Sequence, residues 1–303
     1  MAGRTQDGFA GQRVLVVGAG FMGAGIAQVC AARGLRVSLG DVSQPALDRA
    51  RAGIVASLQK LAGKGQLTES PQTVLDRIDF GLALSPAAEA DWIIEAALEN
   101  LELKLKLFAE LDRLARPEAV LASNTSSIPI TRLAAATAHP ERVLGLHFFG
   151  PVPLMGLVEV VKGQNTDPEA FERSAEFIRF LGKTPVKVAR DIPGFVMNRV
   201  FSAAFREAVD LVAEGVVSPE DLDAGMRLGY GWAAGPFEIA DNAGLDTCAL
   251  INRFLVSVGE KNLTPRSDLV ERLVAQGRVG RKVGKGFYRY TPDGKRQPWR
   301  DEG

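Results

Sequence analysis

Three features of the sequence predict an α/β fold with a mainly parallel sheet, followed by an all-helical C-terminal domain. Short apolar runs alternate with helical stretches up to about residue 190, which is typical of a parallel sheet covered by helices on both faces. After that point one helical pattern follows another. The length of 303 residues suits two domains better than one. We therefore expect domains at residues 1–190 and 191–303.

The apolar runs locate the elements of the first domain. Strands are expected where aliphatic residues form short uncharged runs, and helices where apolar residues recur at helical spacing. The expected strands are residues 13–17, 35–41, 90–97, 119–124, 142–149, 157–163 and 184–189. The expected helices are residues 24–34, 44–65, 99–115 and 168–181.

The second domain is expected to be all-α. Residues 195–215 carry apolar side chains at helical spacing and end at a glycine. The next helix begins with Ser218 as its cap and Asp221 three residues later, which is a typical helix start. Further helical patterns cover residues 237–259 and 267–277.

The composition excludes several classes of protein. Lys and Arg together number 36 and so do Asp and Glu, so no global charge points to nucleic acid or a membrane surface. No apolar run is long enough for a membrane span, and the first residues lack the apolar core of a signal peptide. Cys30 and Cys248 lie in apolar helical patterns, as reduced core thiols do. We expect a cytoplasmic protein without a metal.

A glycine-rich loop follows the first strand. The motif contains three glycines, each with its own role. Gly18 permits a tight turn, Gly20 lets a pyrophosphate approach the backbone, and Gly23 lets the helix pack closely. Asp41 ends the next strand, where a carboxylate can bind the ribose hydroxyls of NAD and repel the extra phosphate of NADP. An ordinary tight turn is the alternative. The pattern predicts NAD on a Rossmann-type domain, bound by Gly18, Gly20, Phe21, Met22, Gly23 and Asp41.

One of the two histidines stands in an apolar stretch that predicts a buried strand. His147 lies near the end of that strand, and Glu159 lies within the next one. If the strands are neighbours, the carboxylate can hold one imidazole nitrogen while the other exchanges a proton with a substrate hydroxyl. The alternative is a satisfied core histidine and an outward-facing glutamate on an edge strand. His139 is interpreted as a loop residue.

A polar segment, residues 123–127, follows another strand at the same edge of the sheet. We interpret Ser127 as the cap of the following helix, which leaves Asn124 or Ser126 to face the cleft. Asn198 lies in the first turn of the first C-terminal helix. Its amide can cross a cleft at a domain junction or have a purely local role.

Six motifs closely resemble those of the L-3-hydroxyacyl-CoA dehydrogenases, and bacterial 3-hydroxybutyryl-CoA dehydrogenases are similar in size. The motifs follow in the same order along essentially the whole chain. They are VVGAGFMGAGIA, SNTSS, GLHFFGPVPLMGLVEVV, DIPGFVMNR, GPFEIADNAGLDT and GKGFYRY.

The resemblance implies reversible, NAD-dependent oxidation of an L-3-hydroxyacyl-CoA to the 3-oxoacyl-CoA. It implies that His147 is the general acid/base, that Glu159 is its partner, and that Ser126 and Asn198 hold the substrate oxygen. Cofactor-facing positions are Asp41, Glu99, Lys104, Asn124, Ser126, Gly150 and Lys282. Ser57 and Lys64 are implied to meet the CoA, although Lys64 by itself is interpreted as part of a solvated helix end. The helical domain is implied to form a homodimer.

Two positions depart from the family pattern. Gly150 stands where the family usually has Asn, and Gly156 stands where Lys is common. Restoring Asn at position 150 is expected to add a polar contact beside the nicotinamide. The alternatives to an acyl-CoA substrate are a small free 3-hydroxy acid, of the L-gulonate or carnitine type, and a non-catalytic NAD-binding structural protein. The intact Ser126, His147, Glu159 and Asn198 argue against the last.

Overall fold

The computed structural model describes residues 6–298, which divide into two compact units. The first unit ends at Ile192 and the second begins at Pro193. An eight-stranded sheet forms the centre of the first unit, in the order β3-β2-β1-β4-β5-β6-β7-β8. The strands are β1 (Arg13–Val17), β2 (Arg36–Gly40), β3 (Ile78–Gly81), β4 (Trp92–Glu95), β5 (Val120–Ser123), β6 (Val143–Phe148), β7 (Leu157–Lys162) and β8 (Thr184–Val188).

The sheet is parallel from β3 to β6, as the alternation of strands and helices predicts. β7 pairs antiparallel with β6 and parallel with β8. The last two strands therefore run opposite to the others, which the apolar pattern alone did not indicate. The strand β3 was not expected either, because its four residues, IDFG, alternate in burial and lack an apolar run.

Six helices accompany this sheet: α1 (Phe21–Ala32), α2 (Gln44–Ala62), α3 (Pro71–Leu75), α4 (Leu101–Leu114), α5 (Ile130–Ala134) and α6 (Pro168–Phe180). Side-chain caps begin three of the longer ones. Ser43 accepts a hydrogen bond from the Ala46 N–H, Asn100 from Leu103, and Asp167 from two N–H groups of the first turn. These bonds satisfy donors that the helix itself leaves unpaired.

The interpretation of Ser127 as a helix cap is wrong. α5 begins three residues later, at Ile130, and its cap position is Pro129, which offers no side-chain acceptor. The Ser127 hydroxyl instead donates to Glu99, at 2.7 Å. A capping oxygen accepts from a backbone N–H, whereas the N–H groups of Ser127 and Ile128 already donate to the Thr125 hydroxyl, and Ser127 makes the stronger bond to a carboxylate.

Residues 193–298 of the second unit contain five α-helices: α7 (Met197–Ala213), α8 (Pro219–Tyr230), α9 (Pro236–Ala243), α10 (Leu245–Ser257) and α11 (Leu269–Ala275). Gly244, at φ +100°, interrupts the long helical pattern of residues 237–259 and separates α9 from α10. A small hairpin, β9 (Tyr288–Tyr290) with β10 (Arg296–Pro298), adds to the all-α domain that the sequence predicts. Strands of three residues are too short to show a period.

Two buried aspartates hold this second unit together. Asp223 accepts bonds from the N–H groups of Phe237 and Glu238, so it caps α9 from a distance. Asp241 on α9 accepts bonds from the N–H groups of Phe287 and Tyr288. A side chain at Gly235 or Gly286 would collide with one of these carboxylates. The glycine-containing motifs GPFEIADNAG and GKGFYRY are thus explained by packing.

Cys30 and Cys248 are buried and form no disulfide. Burial raises the pKa of both thiols to about 12, so they stay protonated and unreactive. No helix among residues 6–298 combines the length and apolarity that crossing a bilayer requires.

Candidate active site

The glycine loop joins β1 to α1 with geometry that only glycine permits. Gly18 has φ +107°, and a Cβ atom there would lie 2.5 Å from the carbonyl oxygen of Ala96. A Cβ at Gly23 would collide with the carbonyl oxygen of Gly18, so this glycine lets helix and loop touch. Gly20, by contrast, faces open space. A phosphate can therefore approach the N-terminus of α1, whose N–H groups and dipole favour an anion.

Asp41 follows β2 and turns back toward this loop. Its Oδ2 accepts a hydrogen bond from the N–H of Ala19, at 2.8 Å, and its Oδ1 accepts one from Ser43, at 2.9 Å. Each carboxylate oxygen retains further acceptor capacity, which ribose hydroxyls can use. The carboxylate thus both fixes the loop and offers acceptors beside it.

A buried network of charged residues lies where β4 and β5 end. Glu95 and Lys104 are both almost inaccessible to water and form an ion pair. Glu95 also accepts bonds from the Ser123 hydroxyl and from the N–H of Ala97, each at 2.6 Å. The Lys104 ammonium lies 3.3 Å from Glu99 Oε2. An unpaired buried charge is costly, and here each charge is paired and hydrogen-bonded.

Glu99 links this network to the segment after β5. It accepts bonds from the hydroxyls of Thr125 and Ser127. Partial burial raises the pKa of Glu99, but the charge of Lys104 and these bonds outweigh it and lower the pKa overall. Glu99 is therefore ionised at neutral pH. Sequence reasoning missed Glu95, because a lone acid at the end of a strand looks like the start of a loop.

His147 and Glu159 face each other across the β6–β7 pair. They are register partners, and His147 Nδ1 lies 2.8 Å from Glu159 Oε2. The His147 side chain is 8% exposed and that of Glu159 is fully buried. Because β7 is antiparallel, its beginning lies at the edge where the parallel strands end. The pair thus stands at the same edge as the glycine loop.

Asn124 fixes the end of β6 next to this pair. Its side-chain oxygen accepts a hydrogen bond from the N–H of Phe148, at 2.9 Å. The ring of Phe149 lies against the imidazole of His147, with centroids 4.6 Å apart. Ser126 is half-buried, and its hydroxyl makes no hydrogen bond to any residue between 6 and 298. The Ser126 hydroxyl is therefore available to a ligand.

A cavity of about 530 Å³ lies beside the glycine loop, between α1, α2 and the loop after β6. One face of α2 lines it with Arg49, Gly53, Ser57 and Lys60 at helical spacing, and Lys64 lines it from the turn that follows the helix. Ser57 and Lys64 therefore share a pocket, as the resemblance implies. Arg49 and Lys60 were not expected there, although their spacing from Ser57 in the sequence is a usable signal. Apolar residues of α1 and of the 151–154 segment complete the walls.

The two departures from the family pattern differ in their surroundings. A Cβ at Gly156 would meet nothing within 4 Å, so a side chain fits there. A Cβ at Gly150 would lie 2.7 Å from the ring of Phe21, which is 70% exposed, and 3.3 Å from the Met22 sulfur. Phe21 thus occupies the space beside Gly150. An Asn side chain at position 150 would fit only if this ring moved.

Two exposed apolar residues also lie at the carboxyl edge of the sheet. Val42 follows Asp41 and is 97% exposed, and Leu98 follows β4 and is 78% exposed. Apolar side chains at the ends of these strands suit a flat aromatic ring such as adenine. Sequence reasoning missed both, because isolated apolar residues in loops are common.

The remaining expected site residues belong to the second unit. Asn198 is the second residue of α7, and Lys282 forms an ion pair with Asp246, at 2.6 Å. Their roles toward cofactor and substrate stay predictions.

The chain belongs to the 3-hydroxyacyl-CoA dehydrogenase family. Residues 13–192 match the family model of the 3-hydroxyacyl-CoA dehydrogenase NAD binding domain, and residues 194–290 match that of the 3-hydroxyacyl-CoA dehydrogenase C-terminal domain. The expected family, fold class and cofactor are thereby confirmed.

Individual relatives are similar over nearly the whole chain. A probable 3-hydroxybutyryl-CoA dehydrogenase of Deinococcus radiodurans is 46% identical over 276 residues, which is 91% of this chain and 99% of that protein. The crystal structure of FadB2 from M. tuberculosis matches with a TM-score of 0.87 and 41% sequence identity. The match covers 93% of this chain and 100% of the FadB2 chain. (S)-3-hydroxybutyryl-CoA dehydrogenase PaaH1 from Ralstonia eutropha has a TM-score of 0.86 at 39% identity, covering 93% and 100%.

Proposed function

We propose that this protein oxidises an L-3-hydroxyacyl-CoA to the 3-oxoacyl-CoA reversibly, with NAD as the hydride carrier and His147 as the general acid/base. One observation supports it most: the 2.8 Å contact between His147 and Glu159, at the sheet edge that also carries the glycine loop. A buried histidine held by a buried carboxylate is a costly arrangement, and such arrangements cluster at catalytic sites.

The carboxylate of Glu159 determines how the imidazole works. It accepts a hydrogen bond from Nδ1–H, so the neutral ring carries its basic lone pair on Nε2. Nε2 takes the proton of the substrate's 3-hydroxyl while the hydride leaves C3, and the C–O bond becomes a carbonyl. The resulting imidazolium is stabilised by the negative charge of Glu159. In the reverse direction the same proton returns to the oxygen. NAD+, when bound, would supply the acceptor for this hydride.

The residues at the loop fit NAD. The space beside Gly20, the first N–H groups of α1 and the acceptors of Asp41 suit a pyrophosphate followed by an unphosphorylated ribose. Val42 and Leu98 supply apolar surface for the adenine. Glu99 and Lys104, with Asn124 and the backbone at Gly150, are proposed to lie toward the nicotinamide end.

The cavity beside α2 is proposed to take the CoA part of the substrate. Its apolar walls suit the pantetheine chain, while Arg49 and Lys60 on α2 and Lys64 just after it suit the phosphates. Ser57 lies between these cations and can hydrogen-bond the same group. A small free 3-hydroxy acid carries a single carboxylate, which does not call for three cations spread over residues 49–64.

The Ser126 hydroxyl and the Asn198 amide are proposed to bind the substrate oxygen, and Lys282 is proposed to contact the cofactor. Both hydrogen-bond donors at the oxygen would polarise the carbonyl in the reducing direction.

Exposed apolar residues support a homodimer formed by the helical unit. Val200, Leu228 and Tyr230 of α7 and α8 are 56%, 87% and 79% exposed. Large exposed apolar side chains on a helical surface commonly mark an interface. We expect a dimer in sedimentation velocity that Leu228→Glu weakens. The reduced cysteines support a cytoplasmic location, which cell fractionation tests.

Substrate comparison tests the proposed function. NADH consumption is measured with acetoacetyl-CoA, with free acetoacetate and with 3-dehydro-sugar acids. We expect turnover of acetoacetyl-CoA at low concentration and little turnover of the others. Preference for a free acid would contradict the role of the α2 cavity, and no turnover of any of them would favour a non-catalytic protein.

A further inference from the structure

Lys183 is a buried lysine that the proposed reaction does not use. It lies between α6 and β8 and is 9% exposed. Its ammonium donates hydrogen bonds to the carbonyl oxygens of Val152 and Met155, each at 2.6 Å. No carboxylate among residues 6–298 forms an ion pair with it. Burial lowers the pKa of Lys183, and the charge of Arg33 lowers it further. Burying a charged ammonium costs free energy, and here the two carbonyl hydrogen bonds are what compensates that cost.

The two carbonyls belong to the loop that joins the strands of the catalytic pair. This loop, residues 149–156, runs from the end of β6 to the start of β7. Its Pro151 carbonyl accepts bonds from the N–H groups of Leu154 and Met155, at 2.9 and 3.0 Å, which closes a turn. The ammonium of Lys183 donates to the carbonyl of Val152 near the start of that turn and to the carbonyl of Met155 at its end. It therefore joins the two parts of the turn.

The same loop forms a wall of the α2 cavity. Pro151, Val152, Pro153 and Leu154 line it. The Val152 side chain is 1% exposed and packs on Gly25 of α1, where a Cβ would come within 2.9 Å. A small displacement of the loop would therefore change the width of the cavity and the approach to β7. Interiors are packed too closely to absorb such a shift without effect.

We propose that Lys183 is a positioning residue, which clamps the 149–156 loop so that the cavity wall keeps the shape the acyl-CoA needs. This inference rests on the proposed function only in the identity of the ligand. Lys183 does not line the α2 cavity, so its effect on the ligand would be exerted through the loop. The ordinary alternative is that it merely satisfies two carbonyls and adds stability.

Three variants separate these roles. Lys183→Met keeps the length of the side chain and removes its donors, whereas Lys183→Arg keeps charge and donors. Lys187→Met is the matched control, because Lys187 lies four residues further on in β8 and its ammonium pairs with the exposed Glu172. The KM for acetoacetyl-CoA, the KM for NADH, kcat and thermal stability are measured for each.

We expect Lys183→Met to raise the KM for acetoacetyl-CoA by about 10-fold or more, since small misplacements of a binding wall are costly. The KM for NADH should stay within about twofold, because the glycine loop and Asp41 are unchanged. Lys183→Arg should recover part of the loss, and Lys187→Met should behave as wild type. A folded Lys183→Met protein with unchanged KM, or with both KM values raised equally, would overturn the proposal.

Hydrogen exchange of the ligand-free protein gives a readout that does not depend on the substrate. The amides of Leu154 and Met155 should exchange faster in Lys183→Met than in the wild-type protein. If Lys183→Met does not fold, the same amides are measured in Lys183→Arg, where a smaller increase is expected. Unchanged exchange at both amides would refute the clamp. Absence of acetoacetyl-CoA turnover in the wild-type protein would instead refute the proposed function and leave the exchange experiment valid.

Discussion

At the scale of single residues, the site combines groups that hold one another in place. Asp41 fixes the glycine loop, Asn124 fixes the end of β6, and Glu159 fixes His147. Asp41 and Asn124 are expected to contact the cofactor as well, whereas Glu159 is expected to act on the substrate through His147. A substitution therefore changes both the position of the neighbouring backbone or side chain and the contact with the ligand. An informative variant changes one and keeps the other.

Asp41 illustrates this separation. We predict that the wild-type protein strongly prefers NADH to NADPH, because the Asp41 carboxylate repels a phosphate on the ribose. Asp41→Asn removes that charge and keeps an acceptor for the Ala19 N–H but not for the Ser43 N–H as well, so it should narrow the preference by about 10-fold or more at a modest cost in stability. Asp41→Ala should narrow it too and also weaken NADH binding. The measurement is kcat/KM for both cofactors, and equal use of them by the wild-type protein would contradict the role of Asp41.

At Gly150, the family pattern and the local packing predict opposite effects of an Asn. The family pattern favours Asn at this position, but the ring of Phe21 occupies the neighbouring space. We predict that Gly150→Asn lowers kcat/KM by several-fold, because the ring has to leave its place at the cavity. Phe21→Ala combined with Gly150→Asn should recover activity relative to Gly150→Asn alone. Additive losses in the double variant would show that the ring and position 150 are independent.

At the scale of elements, much of the first unit could be predicted from sequence. Buried parallel strands are continuous apolar runs, and glycine loops and caps have local signatures. The polar network of Glu95, Lys104 and Glu99 could not be predicted, because it joins residues of β4, α4 and their connection that carry no common pattern. The direction of β7 was equally hidden, since apolar composition does not encode strand direction. That direction is what brings Glu159 opposite His147.

The cationic face of α2 is another element-level feature, and it gives a prediction about binding. We predict that Lys64→Ala raises the KM for acetoacetyl-CoA several-fold and hardly changes kcat, because its charge is remote from the reacting carbon. Arg49→Ala should act in the same way, and the double variant should bind more weakly than either. Lys106→Ala, on the exposed part of α4 and outside the cavity, is the control. Unchanged KM in both single variants would show that these residues are ordinary solvated surface cations that do not bind the substrate.

At the scale of the whole molecule, each unit contains a buried aspartate that links distant segments. In the first unit, Asp112 of α4 accepts bonds from Arg142 and from the N–H of Ala138. In the second, Asp210 of α7 accepts bonds from Arg266 and the N–H of Ser267. Burial raises the pKa of both carboxyls, but the arginines and N–H groups outweigh it and lower the pKa overall.

This linkage predicts how stability depends on pH. Because the folded-state pKa of Asp112 lies below its unfolded value of about 3.9, its contribution is present above about pH 4 and disappears as the pH falls further. Asp112→Asn should lower the free energy of unfolding by roughly 3 kcal/mol at pH 7, as for other broken buried pairs, and by less at pH 3. Glu172→Gln, which breaks an exposed pair, should cost under about 1 kcal/mol. A deficit in Asp112→Asn that does not shrink in acid would contradict this account.

The central claim is that His147 and Glu159 act as one catalytic unit, and the kcat of Glu159→Gln tests it most directly. Thermal stability and NADH affinity are measured on the same protein, with His147→Ala and the double variant beside it. We predict losses of kcat of roughly 10²-fold or more for each single variant, because the glutamine can neither hold the Nδ1–H tautomer reliably nor stabilise the imidazolium. NADH affinity should be retained, and the double variant should be little worse than His147→Ala. A folded Glu159→Gln protein with near-normal kcat would contradict the claim and leave the pair as a structural contact.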